Sequence, residues 1–162
     1  MNLNLHRLIA AVVCALAVNA GFAADMTPAS PSAAAAPEKL AVARGLVAEK
    51  KWAAAIEELK RVNDSGNADW NNLMGYSHRK ARTPDLAAAE RYYGAALQID
   101  PKHRGALEYS GELFLQLGDL ARAEQRLAAL DKACFLPCEE FTELKNAIAR
   151  FKANGNKVAA TN

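Results

Sequence analysis

This chain reads as an all-α protein: an α-solenoid of three stacked helix-turn-helix repeats closed by a C-terminal capping helix. Three observations point there. Residues 85–96, DLAAAERYYGAA, align without a gap on residues 51–62, KWAAAIEELKRV, and on residues 119–130, DLARAEQRLAAL, at an offset of 34 on either side. The aligned columns keep their chemical kind: Trp52, Leu86 and Leu120; Ala55, Ala89 and Ala123; Leu59, Tyr93 and Leu127; Val62, Ala96 and Leu130. Beyond the third copy a single one-faced helical pattern follows, with Phe141, Leu144, Ala147, Ile148 and Phe151 at helical spacing. A fixed period of this length marks helical hairpins that bury their apolar faces only against a neighbouring copy.

The ends are of another character. Arg7 precedes an eleven-residue apolar run, residues 8–18, and the first acid of the chain is Asp25. A basic start, a short apolar run and small residues before a cut predict a secretory leader over residues 1–23, cleaved after Ala23, with Ala20 as the alternative cut. The run is too short to span a bilayer permanently. Cys14 lies in this leader behind Val13, where a lipidation site would want a small residue. Export to the periplasm is the expected destination. Residues 24–37 are rich in Ala, Pro and Ser and almost uncharged, which predicts a flexible linker.

The three repeats are expected over residues 38–136. In the first, Leu40, Ala43, Leu46 and Val47 share a face, and the helix from Trp52 to Val62 stops at the turn residues Asn63, Asp64, Ser65 and Gly66. In the second, Asp69 is the expected N-cap. Arg82, Thr83, Pro84 and Asp85 make a turn about two residues longer than its counterpart in the third copy, and Pro101 ends the second helix. In the third, Gly118 stands where a left-handed residue ends a helix. Pro137, Glu139 and Glu140 suit the start of the cap, residues 137–153. Residues 154–162 are expected to be a loose tail.

These columns resemble the tetratricopeptide repeat. Leu73, Gly75, Ala89, Tyr93, Ala96 and Pro101 stand at matching places in the second copy, and Leu107, Gly111, Phe114, Gly118, Ala123 and Leu127 in the third. Ala43 replaces the usual Gly in the first copy, and His78 a usual Tyr in the second. The ending CEEFTELKNAIARFKA also resembles that of small exported bacterial repeat proteins. The resemblance implies a groove lined by the first helix of each pair. Carried over by position, that groove presents Arg44, Asn72, Tyr76, Arg79, Lys80, Glu108 and Glu112, with Val47, Ala48, Asp69, Leu115 and Gln116 beside them. The ordered Lys, Asn and Arg set by which some members hold a terminal carboxylate is incomplete here, with Leu40 and Arg44, Leu73, and Gly105 and Tyr109 at its places in the three copies.

Composition narrows the function. With 20 Lys and Arg against 18 Asp and Glu, the chain carries +2 and no basic stripe, so no nucleic-acid partner is expected. Neither His78 nor His103 lies in a nucleophile, metal or phosphate motif, so no enzyme activity, resident metal or cofactor is expected. After leader removal Cys134 and Cys138 are the only cysteines, and an exported chain most simply joins them. The alternative is thiol exchange or soft-metal (copper) handling by the same pair. The leading expectation is a periplasmic scaffold holding a protein or peptide of the cell envelope in its repeat groove. Self-association through the cap helix is a third alternative.

Overall fold

A computed structural model describes residues 38–157. The expected leader and linker, residues 1–37, and the last five residues of the tail lie outside the described residues. Within them the chain is all-helical: α1 (Ala41–Ala48), α2 (Trp52–Val62), α3 (Ala68–Lys80), α4 (Leu86–Ile99), α5 (Arg104–Gln116), α6 (Leu120–Ala133) and α7 (Glu139–Ala153).

The helix starts explain much of the period. Asp85 and Asp119, 34 residues apart, are the N-caps of α4 and α6. Their carboxylates accept from the backbone N–H groups of Ala88 (2.8 Å) and Arg122 (3.0 Å), supplying partners that the first turn lacks. Lys51 occupies this column in the first copy and offers no acceptor, so α2 starts without a side-chain cap. The first helices are capped differently. Asn67 Oδ1 accepts from Trp70 N at 3.2 Å, and His103 Nδ1 accepts from Ala106 N at 3.0 Å. Asn67, not Asp69, therefore caps α3, and Asp69 is free for a longer-range contact. Asn63 (φ 49°) and Gly118 (φ 77°) adopt left-handed conformations just past helix ends, as C-terminal stops require.

Each pair packs as a hairpin, α1 on α2, α3 on α4 and α5 on α6, and successive hairpins join through α2–α3 and α4–α5. Ala55, Ala89 and Ala123 are all fully buried, so the column of small residues is where backbones approach. The helix α7 covers the open end of the last hairpin, adding Leu144, Ile148 and Phe151 to a core with Leu107, Phe114, Leu115 and Leu130. Burying each such side chain contributes about 1.5–3 kcal/mol. Trp70, whose Nε1–H donates to the Leu59 carbonyl at 2.7 Å, locks α3 onto α2. Asn71, also buried, donates to the carbonyls of Ser65 and Asn67 and pins the intervening loop.

The second helices keep the 34-residue offset, but the first helices α3 and α5 start 36 residues apart, at Ala68 and Arg104. The difference is the longer turn at residues 81–85 against residues 117–119. Gly75 and Gly111 thereby become equivalent, and both mark close approaches. A Cβ on Gly75 would lie 2.8 Å from the Tyr93 ring, and one on Gly111 would lie 2.5 Å from Leu144 Cδ2. Cys134 and Cys138 are bonded across the α6–α7 loop, with Cα atoms 5.9 Å apart. Phe135 and Leu136 at its tip point into solvent.

The glycines give a test with two signs. Gly75→Ala forces the buried Tyr93 ring aside and is expected to lower stability by about 1–3 kcal/mol, less the gain in helix propensity. Gly94→Ala, in α4 with no atom within 4 Å of the new Cβ, should raise stability by about 0.8 kcal/mol. Urea unfolding of both variants measures the difference.

Candidate functional site

The packing distinguishes an inner from an outer layer. Among the described residues the backbones of α1 and α3, of α3 and α5 and of α5 and α7 approach closely, whereas those of α2 and α4 and of α4 and α6 do not, α4 and α6 meeting at side-chain reach where Arg122 donates to Glu90 at 2.6 Å. The first helices thus form the inner layer, and their free face is the groove.

At its centre stands a stack around Arg79. The guanidinium lies 5.5 Å from the Tyr76 ring centroid and 5.8 Å from that of Tyr109. Its Nη2–H donates to Glu112 Oε2 at 2.6 Å and its Nε–H to the Tyr93 hydroxyl at 3.4 Å. Tyr76 and Tyr109 are 4.6 Å apart, and Trp52 meets Tyr76 edge-on at 5.7 Å. Burial opposes the Arg79 charge, but Tyr93 and Glu112 outweigh it and hold the side chain cationic. Tyr93 is pushed far above the usual phenol range by burial, so its hydroxyl stays neutral. One turn before Glu112, Glu108 is only 8 % exposed. Burial first, then the carboxylates of Glu112 and Glu140, push it up to about 8 against an opposing pull from Arg79, with Glu143 adding least.

Two clefts flank this stack. One, about 340 Å³, lies between α1, α3 and α5, with Trp52, Tyr76 and Tyr109 on its walls and Arg44 and Lys50 at its edge. The other, about 470 Å³, lies between α3, α5 and α7, with Leu115 and Phe151 on its floor and Lys80, Arg150 and Lys157 around it. Aromatic walls with a few polar groups suit ligand recognition.

A polar hub ties the three repeats beside the first cleft. Arg44 Nη2–H donates to Asp69 Oδ2 at 2.9 Å, and Asp69 Oδ1 lies 2.9 Å from His103 Nε2. Because His103 Nδ1 accepts the capping N–H, the ring proton sits on Nε2 and is donated to Asp69. Burial works against the Asp69 carboxylate, yet His103 and Arg44 hold it below its ordinary range. Each repeat is thus tied to the next by one side-chain contact.

The residues expected from sequence fall into two groups. Tyr76, Lys80 and Glu112 face the groove, and Arg44 reaches it while also paired to Glu38 at 3.0 Å. Arg79, Asn72 and Glu108 are buried instead of solvated. Arg79 sinks because Glu112 and two tyrosine rings replace its water, so it is a structural support for the groove wall and not a free contact. Asn72 fits against the bare Cα of Gly105, where a Cβ would lie 3.0 Å from its Nδ2, and its Oδ1 has no hydrogen-bond partner. Trp52, Tyr109, Arg150, Phe151 and Lys157 line the clefts and escaped sequence reasoning. Trp52 and Phe151 sat in apolar columns that signal core, and Arg150 on the polar face of the cap. His78 stacks on Tyr92 at 5.5 Å, and burial holds its ring below the usual imidazole range. Among the described residues no three His, Cys, Asp or Glu side chains come together as metal ligands, and no helix is long and apolar enough to cross a membrane.

Two outcomes follow from the buried charges. Arg79→Met should cost about 3 kcal/mol, since it strands Glu112 and the Tyr93 hydroxyl, and adding Glu112→Gln should restore part of the loss; urea unfolding of the single and double variants reads both. Glu108 stays protonated in the fold at pH values where it ionises in the unfolded chain, so its contribution falls as pH rises from about 4.5 to about 8. Glu108→Gln is therefore expected to be more stable than the parent at pH 8, with the gap shrinking toward pH 4, as measured by thermal melts across pH.

The groove itself must carry the functional argument, because no protein-family model matches this chain and no curated protein matches it.

Proposed function

We propose that the mature chain is a periplasmic interaction module of the tetratricopeptide type, which holds an extended segment of an envelope protein along its first-helix face and catalyses no reaction. The observation that carries this reading is the pair of clefts joined across the Tyr76–Arg79–Tyr109 stack. A ligand lying along both would bury aromatic surface at one end and meet cations at the other. Rigid aromatic side chains give contact area at low entropic cost, which favours them as anchors. Stiffness comes from below: Tyr76 and Tyr109 are clamped by Arg79, which is itself held by Glu112 and Tyr93. The leader pattern of residues 1–23 and a bonded cysteine pair support export.

The test uses a peptide selected against the protein from a display library, followed by nuclear magnetic resonance of the complex. Resonances of Trp52, Tyr76, Lys80 and Tyr109 should shift. Trp52→Ala should weaken binding about tenfold or more, the ordinary weight of an aromatic anchor. Shifts confined to the outer faces of α2, α4 and α6 would remove the groove from consideration.

A further inference from the structure

The cleft between α3, α5 and α7 differs from its neighbour in charge. Four cations, Arg79, Lys80, Arg150 and Lys157, and one carboxylate, Glu112, belong to it. That is a surplus of three positive charges, whereas the whole chain carries +2. The remainder of the chain is therefore net negative by one, so this cleft is more positive than the rest of the protein taken together. Only Arg79 is neutralised, by Glu112 at 2.6 Å. No carboxylate of the described residues pairs with Lys80, Arg150 or Lys157. Lys80 instead lies 5.8 Å from the Tyr76 ring centroid.

The floor between these cations is apolar: Leu115 is 7 % and Phe151 5 % exposed. A concave surface of low polarity focuses the field of the charges around it. Three cations around an apolar floor suit a ligand carrying both carboxylates and a hydrophobic side chain. They do not form the long basic track that a phosphodiester backbone needs.

We propose that this cleft takes an acidic segment of the partner protein, its Asp or Glu side chains on Lys80, Arg150 and Lys157 and an aliphatic or aromatic side chain on Leu115 and Phe151. This rests on the groove reading above and adds polarity to it: the acidic end of the bound segment lies toward α7, the aromatic-contacting end toward α1. The cap helix supplies Arg150, Phe151 and the approach to Lys157, so it is part of the recognition surface as well as a cover for the last repeat.

The experiment is fluorescence anisotropy with the mature full chain and three labelled probes: a terminally blocked peptide alternating leucine with glutamate, its glutamine counterpart, and an oligothymidylate. Blocked ends make side-chain carboxylates the only anions of the peptide. The glutamate peptide is expected to bind about tenfold more tightly than the glutamine peptide, and this margin should shrink as salt rises. Arg150→Glu with Lys157→Glu, both at exposed positions, should abolish the margin while leaving the thermal melt and the sedimentation coefficient unchanged. Equal binding of the two peptides, tighter binding of the oligothymidylate, or no peptide binding at all overturns the cleft assignment. So does a changed sedimentation coefficient in the charge-reversed variant, which would make a second copy of the chain the occupant. If the two peptides bind equally while the Trp52→Ala change still weakens a library-selected peptide, the groove stands and only the acidic preference falls.

Discussion

A missing methyl group governs the architecture of the groove. Gly75 has no Cβ, so the Tyr93 ring of α4 can lie against the α3 backbone, where a Cβ would come within 2.8 Å of it. That seat places the Tyr93 hydroxyl beneath the inner face, 3.4 Å from Arg79 Nε. Arg79, drawn down, pairs with Glu112 of the next repeat and leaves its flat guanidinium against Tyr76 and Tyr109. Close packing of α3 on α4 thus fixes the wall shared by the two clefts. The pair costs desolvation on both sides, as buried ion pairs do, and its benefit is to set the register of one repeat on the next.

The electrostatic layout follows the same logic. Two ionic contacts join one repeat to the next: Asp69 between Arg44 and His103 near the first cleft, Glu112 on Arg79 at the centre. These contacts span 25 to 34 residues of sequence. They act as pins between stacked units whose apolar faces alone would tolerate sliding. At the α7 end Lys80, Arg150 and Lys157, none of them paired with a carboxylate of the described residues, surround an apolar floor. The bond between Cys134 and Cys138 closes the loop leading into α7, so the cap that forms one wall of that cleft is tethered close to the end of α6.

Much of this was legible in the residues. The fixed 34-residue offset gave the helical hairpins, the small column of Ala55, Ala89 and Ala123 gave the buried seam, and Pro137 with Glu139 and Glu140 gave the start of the cap. Periodicity reports which face of a helix is apolar, because side chains three and four apart share a side. It does not report what lies across from a polar residue. Arg79 and Lys80 are neighbours in sequence and both looked like groove contacts, yet one is buried and the other free. Asp69 looked like a cap, and Asn67 took that place because its side chain reaches the Trp70 N–H.

The amino-acid order alone settled the class of element, the number of hairpins, their sequence phase and the turn with two additional residues, since these depend on contacts between residues close along the chain. Three-dimensional packing settled the rest. It chose which helices form the inner layer, sank Arg79, Asn72 and Glu108, assembled Trp52, Tyr76 and Tyr109 from three successive repeats, and brought Arg150 and Phe151 of the cap beside Lys80. Those outcomes depend on distances between residues tens of positions apart, and a local pattern holds no measure of such distances.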